Sequence, residues 1–336
     1  MKREEREKRE RSEFFGALNK FAKVDYCLLC GKKMSSACNS HVVPQFILKN
    51  ISENGQISYG HAFSKIRVMG LEKPTGINNA YPFRLICKEC DQRRFCNYEN
   101  PKNLKEFDSL DLNLKKQIMC EMAIKAHLSH INMKYRRMLM KDMVTSGQLG
   151  ELEKQGKFFF LERIDIDEHI EYISYLSKKH KSNNNPFVIL YNAVLNYKTK
   201  IATQTVINFN FDLNGKQIYD PYILTNNECR YFYLMILPFE DCTRVLFYIE
   251  NKNAKNVSGI IEQFSNLSEE DKLHFLFVAL VIHDQQFYVS PSLAYKIRKN
   301  DKKLVKLYTK TNEIEIENEK EIKNFKKYNN YLLPDD

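Results

Sequence analysis

The stretch "CLLCGKKMSSACNSHVVPQF", residues 27–46, decides how the N-terminal part of this chain folds. Cys27 and Cys30 are separated by two residues and followed by Gly31, the pattern of a tight knuckle that presents two soft thiolates to one metal ion. A second pair, Cys87 and Cys90, lies far along the chain in "LICKECDQRRFCNYE". Four thiolates in two close pairs match the closed tetrahedral shell of a structural zinc site, so Cys27, Cys30, Cys87 and Cys90 are the expected ligands of one Zn2+. Between the pairs comes Ser40-His41-Val42-Val43-Pro44, where a proline stiffens the turn that presents a histidine.

The second pair opens a helix-compatible segment, Asp91 to Tyr98. A knuckle first and two ligands at the start of a helix is the layout of a treble-clef finger. The stretch 31–86 exceeds an ordinary finger spacer, so an insertion must loop out between the pairs. Cys38 and Cys96 read as small buried hydrophobes rather than ligands.

Composition bounds the partner. Lys and Arg number 52 against 42 Asp and Glu, a formal net charge of +10. Such a positive field raises the local concentration of phosphate polyanions, so nucleic acid is the expected partner class. With 336 residues there is room for two domains. Residues 1–12 are charged and carry no apolar signal region, so the nine cysteines read as reduced thiols and the expected location is the cytoplasm. The longest apolar run, Phe275 to Ile282, falls well short of the roughly 20 residues needed to span a bilayer, so no membrane is expected.

Along the chain, Phe14, Phe15, Leu18 and Phe21 suit a short amphipathic helix within residues 2–24. Residues 27–100 read as loops and short hairpins organised by a metal. Leu110, Leu114, Ile118, Met122, Leu128 and Ile131 predict a long amphipathic helix over 109–146, ended by Gly147, and a second helix is expected over 163–179. After the polar break KSNNNP at 181–186, strands are expected at 187–191, 201–209, 231–237 and 244–249, with DLNG (212–215) as a hairpin turn between two of them. Helices at 255–265 and 269–282 and a Lys-rich helical tail complete an α+β protein.

The motifs resemble a known family. A Cys-x-x-Cys knuckle, a Ser/Asp/Glu-His-x-x-Pro segment and a Cys-x-x-Cys pair opening a helix is the order seen in zinc-stapled HNH endonucleases. "SHVVPQFILKNI" with "LICKECDQRRFCNYE" is similar to a group of bacterial proteins that pair an SHIIP-type segment with a CxxCE-type segment, and "FYVSPS" (287–292) extends the likeness weakly. The resemblance covers residues 27–99. It implies a ββα-metal fold in a 1–105 treble-clef zinc module; the long 109–146 helix and the β-rich 187–250 stretch separately predict a mixed helical and antiparallel β module over 106–336 for binding or oligomerisation. It also implies His41 as general base, with Ser40 and Asp91 at the positions that ligate a catalytic Mg2+ or Mn2+. A neutral serine hydroxyl is a weaker oxygen ligand than a carboxylate. The orienting Asn of the family has only Asn78 and Asn79 near its place. Arg94, Asn97 and Glu99 are further candidates for metal or phosphate.

Other signals are weaker. Arg163 and His169 have a spacing shared with some metal-independent ribonucleases, a short pattern frequent by chance. His127 and His130 sit three apart on the long helix. No GxxxxGK[ST] loop occurs, which argues against ATP use. Two function classes follow: an endonuclease cutting nucleic acid, DNA ahead of RNA, with phage defence as its setting, or a zinc-stapled module that binds nucleic acid or a partner protein without cutting. A homo-oligomer or partner protein is the expected role for the second module.

Overall fold

A computed structural model describes residues 24–60, 74–80, 82–143, 158–219, 230–284, 287–311 and 316–334, with side chains of 136–143, 158–165, 311, 316 and 317 left aside. The amphipathic stretch expected within 2–24 lies outside them, as does Gly147. In chain order the elements are α1 (Gln45–Ile51), β1 (Gln56–Tyr59), β2 (Thr75–Gly76), α2 (Lys88–Arg94), α3 (Pro101–Lys105), α4 (Leu112–Met143), α5 (Phe158–Lys181), β3 (Phe187–Leu195), β4 (Ile201–Ile207), β5 (Phe232–Pro238), β6 (Thr243–Glu250), α6 (Asn251–Ala254), α7 (Ser258–Ser265), α8 (Glu269–His283), β7 (Tyr288–Val289), α9 (Pro291–Asn300) and α10 (Lys302–Thr311). The fold class is α+β.

The chain forms two compact units, Met1–Val42 with Tyr81–Asn185, and Val43–Ala80 with Pro186–Asp336. This grouping differs from the sequence division at residue 105. The cysteine module shares its unit with the α4–α5 helix pair, because the buried faces of those helices pack with it. The insertion between the cysteine pairs instead supplies α1, β1 and β2 to the other unit.

In the first unit, α4 begins at Leu112, inside the expected 109–146 helix, and α5 runs beyond the expected 163–179 at both ends. Residues Ile118 to Leu128 of α4 are all buried, an apolar run broken by Glu121, Lys125 and His127. A helix apolar on every side is a core helix, and charges inside it need partners.

In the second unit, seven strands form one antiparallel sheet in the order β2-β1-β7-β4-β5-β6-β3. Every residue of β4, β5 and β6 is buried, so β5 and the middle of β6 read as near-continuous apolar runs rather than alternating ones, while β4 buries Thr203, Gln204 and Thr205 at its centre. The core joins Phe232, Phe247 and Ile249 to Phe264 of α7, Phe275 of α8 and Leu304 and Tyr308 of α10. Phe232 stacks on Phe247 with ring centroids 5.4 Å apart. Edge strand β3 carries a bulge between Ile189 and Tyr191 and leaves Val188, Ile189 and Val194 exposed.

DLNG turns as expected, with Gly215 at φ +78°. It closes its own loop through a Phe211–Gln217 bridge within the β4–β5 connection, so it is not the hairpin turn between two strands. The "FYVSPS" stretch is structural: Tyr288–Val289 is β7, and the Ser290 hydroxyl accepts from Leu293 N at the start of α9, with Pro291 in the first turn.

Candidate metal centre and the polar site beside it

The knuckle begins with a Tyr26–Lys33 bridge. Gly31 N donates to Cys27 O at 2.8 Å and Cys27 N donates to Lys32 O at 2.9 Å. Gly31 has φ +70° with no atom crowding its Cβ position, so backbone conformation rather than space calls for glycine. The second pair sits on α2: Cys87 is its N-cap residue and Cys90 lies in its first turn. Leu28 N donates to Leu85 O at 3.0 Å and sets the knuckle against the segment that leads into α2.

These contacts bring the sulfurs of Cys27, Cys30, Cys87 and Cys90 within 4.8 Å of one another, the only such ligand cluster among the described residues. Cys30 Sγ and Cys87 Sγ are 3.9 Å apart. Four sulfurs at about 2.3 Å from a tetrahedral zinc would stand about 3.8 Å apart, so the set fits a metal ion of that kind. The Cys87 amide donates to Cys27 Sγ at 3.4 Å. Burial pushes the Cys27 thiol up, and burial with the neighbouring thiols pushes Cys90 up further. The Lys32 amide pulls Cys30 down. A bound cation overrides such shifts, because a coordinating thiol is deprotonated outright.

Beside this cluster, residues 38–40 run antiparallel to 83–86. Ser40 N donates to Phe83 O at 3.1 Å, Phe83 N returns to Ser40 O at 2.9 Å, and Cys38 N donates to Ile86 O at 3.0 Å. Ser40 lies on the first of these segments, His41 directly follows it, and Asp91 lies on the helix that follows the second. Asp91 follows Cys90 on α2, and the Ser40 hydroxyl donates to Asp91 Oδ1 at 2.6 Å. Cys38 Sγ donates to Asp91 Oδ2 at 3.2 Å. Burial, together with the Asp91 carboxylate, pushes the Cys38 thiol up to about 12 and keeps its proton in place for that bond. Cys38 is therefore a polar partner of Asp91, not the inert hydrophobe expected from sequence. Cys96 is exposed, with Sγ 3.5 Å from Arg93 O, and stands apart from the cluster.

The centre of this polar site is a residue that sequence reading passed over. Lys125 of α4 is 1% exposed. Its Nζ pairs closely with Glu99 Oε1, lies 3.6 Å from Asp91 Oδ1 and donates to the carbonyl oxygen of His41 at 3.2 Å. The ammonium also lies over the Phe95 ring at 4.7 Å and the Tyr98 ring at 5.9 Å. One turn earlier, Glu121, also 1% exposed, accepts from Tyr98 N at 2.8 Å and from Asn97 Nδ2 at 2.9 Å, with His180 Nε2 at 3.0 Å. The Tyr98 hydroxyl donates to Val42 O at 3.0 Å, so the carbonyls of His41 and Val42 are both tied to buried side chains. The readable signal was the charged pair Glu121 and Lys125 inside an apolar run.

His41 is 9% exposed and adjoins Ser40. Asn78 and Asn79 lie on the short helix Ile77–Asn79 of the other unit, where Asn78 Oδ1 accepts from Gln45 Nε2 at 3.5 Å. Arg94 ends α2, while Asn97 serves Glu121 rather than Asp91.

The Mg2+ or Mn2+ expected at Ser40 and Asp91 does not fit this arrangement. Asp91 has Ser40 on one oxygen and Cys38 on the other, and Lys125 supplies the positive charge nearby.

His127 and His169 meet in the α4–α5 interface with their Nδ1 atoms 2.7 Å apart. Burial holds His127 down at about 3 and His169 well below its ordinary value, so both are neutral and one ring donates to the other. His130 lies against His169 with ring centroids 5.6 Å apart. The side chain of Arg163 is outside the described residues. No helix among the described residues is long and apolar enough to cross a membrane. In comparisons with protein-family models, curated proteins and solved structures, nothing matches the chain.

Proposed function

We propose that this chain is a zinc-stapled endonuclease of the HNH kind that acts on nucleic acid, DNA ahead of RNA, in a cytoplasmic defence setting. Zinc on Cys27, Cys30, Cys87 and Cys90 is the structural cofactor, holding a treble-clef-like module. His41 is the general base, and Asp91 with Ser40 forms the polar group beside it. The observation that carries the reading is the 2.6 Å Ser40–Asp91 hydrogen bond. It joins the residue before His41 to the residue after the last cysteine, which are the two positions singled out by the HNH order. The net charge of +10 supports a polyanionic substrate.

General-base catalysis typically contributes about 10²–10⁴-fold. His41→Ala should lose cleavage by about that factor while keeping metal content and nucleic-acid affinity. The assay uses single-stranded, duplex and branched DNA and RNA, each with and without added Mg2+ or Mn2+. Wild-type protein that cuts no more than His41→Ala on every substrate would defeat the proposal.

A second reading, a zinc-stapled module that grips nucleic acid or a partner protein without cutting, is favoured by the burial of His41 and by the engagement of both Asp91 oxygens. It expects salt-sensitive binding that His41→Ala leaves unchanged, with no cleavage by either protein.

A further inference from the structure

We infer that the Lys125 ammonium is the resident cation of the Ser40–Asp91 site, filling the place that a divalent ion shared by Asp91 and Glu99 would occupy. Three oxygens converge on Nζ: Glu99 Oε1, Asp91 Oδ1 at 3.6 Å and the His41 carbonyl at 3.2 Å. Two carboxylates and one carbonyl around a single point form the oxygen set a hard cation seeks. Here that point is occupied by a nitrogen that the fold cannot readily withdraw. Lys125 projects from a buried stretch of α4, and the Phe95 and Tyr98 rings lie against its ammonium. A Mg2+ ion demands near-octahedral oxygen ligands at about 2.0–2.1 Å, and one bridging Asp91 and Glu99 would compete with Nζ for the same oxygens.

Lys125 is 1% exposed, so it is a positioning residue. It neutralises the acid pair and fixes the His41 backbone without touching a substrate. Occupancy of the cation position stands independently of the nuclease proposal; only the consequence that cleavage needs no divalent ion rests on it.

The test titrates Mn2+ into full-length, zinc-loaded protein in divalent-free buffer and follows free aqueous Mn2+ by electron paramagnetic resonance. Wild type should take up no stoichiometric Mn2+ below about 1 mM, a concentration that detects even weak sites. Lys125→Ala should gain one Mn2+, bound at least about 10-fold more tightly than by wild type, the factor expected for about 1.4 kcal/mol of relieved competition. That uptake should vanish in Lys125→Ala/Asp91→Asn, and Lys125→Arg should behave as wild type. A wild-type Mn2+ site that Asp91→Asn removes would overturn the inference, as would a folded Lys125→Ala that binds none. If Lys125→Ala does not fold, the comparison of wild type with Asp91→Asn decides alone.

Where the protein cuts nucleic acid, its rate without added Mg2+ or Mn2+ should lie within about 2-fold of the rate with them, because Lys125 already supplies the charge beside Asp91. Cutting that appears only with an added divalent ion would overturn the inference and leave the nuclease proposal standing. Absence of cutting in both buffers fails the nuclease proposal, and the Mn2+ titration still decides whether Lys125 holds the cation position.

Discussion

Replacing Cys87 by serine tests how far the metal cluster holds the site together. Cys87 contributes one of four sulfurs, caps α2, and donates its amide to Cys27 Sγ. Helix α2 has seven residues, whereas isolated helices shorter than about 12–15 residues are marginal in water. Its order therefore comes from the metal and from packing of the half-buried residues around it. Structural zinc contributes about 10–16 kcal/mol in finger peptides, which matches or exceeds the about 5–15 kcal/mol that holds a whole domain folded. Loss of one thiolate should release most of the metal, dissolve α2 and part Asp91 from Ser40. Elemental analysis should find about one zinc per wild-type chain and a small fraction of that in Cys87→Ser. Hydrogen exchange should show lost protection over 88–98 while β4, β5 and β6 keep theirs, because those strands lie in a separate compact unit with its own core. A Cys87→Ser protein with wild-type metal content and wild-type protection of α2 would refute the reasoning.

Three further perturbations probe other parts of the molecule. Glu121→Ala strands the buried Tyr98 N and removes an acceptor from Asn97 Nδ2 and the part-exposed His180 Nε2, and at about 1–3 kcal/mol for the stranded donor plus the lost partners it should destabilise by about 2–4 kcal/mol in urea unfolding; a loss under about 1 kcal/mol would show that the network is slack. Gly60→Ala would place a Cβ 2.5 Å from the ring of fully buried Phe287, and overpacking of this kind should cost about 1–3 kcal/mol, read as a lowered melting temperature. Burial pushes Glu319 up to about 7 from 4.5, so between these values the native state holds a proton that the unfolded chain has released, and stability falls as pH rises through the window. Glu319→Gln should remove that loss, melting higher than wild type at pH 8 by up to about 3 kcal/mol of stability and showing little gain at pH 4; identical pH profiles for the two proteins would defeat this.

What sequence could and could not show follows from the physics of each element. Strands β5 and β6 and helix α8 announced themselves because burial on all sides favours long apolar runs, and such runs are visible without knowing the partner. The metal knuckle was legible because thiolate spacing is fixed by the metal. Domain membership was not, since it depends on which distant faces meet. Residues 43–80 are flanked by cysteine-module sequence, yet β1 pairs with β7 at Ser58–Val289 and Tyr59–Tyr288. Two-residue strands such as β2 and β7 carry too little pattern to be read alone. DLNG signalled its turn through Gly215, but turn chemistry does not say which flanking segments pair.

The candidate site divides along the same line. Ser40, His41 and Asp91 were readable because motif order places them, and the hydrogen bond between Ser40 and Asp91 is the geometric consequence. Lys125 and Glu121 belong to a helix beginning 21 residues after Asp91, at Leu112, and nothing in their local sequence names a partner. What sequence does offer is a contradiction: two charges set one helical turn apart in a stretch that is otherwise almost wholly apolar. A charge in such a position must be paired, because leaving it unpaired in a dry interior costs several kcal/mol. Glu121 resolves its side of the contradiction on backbone and amide donors, and Lys125 resolves the other on Asp91, Glu99 and the His41 carbonyl. The buried lysine thereby makes the acidic residue predicted to hold a metal into a member of an ion pair. Breaking that pair from either side exposes opposite behaviour: Asp91→Asn leaves a buried ammonium with Glu99 alone, whereas Lys125→Ala leaves two carboxylates facing each other, an arrangement that only a cation can stabilise.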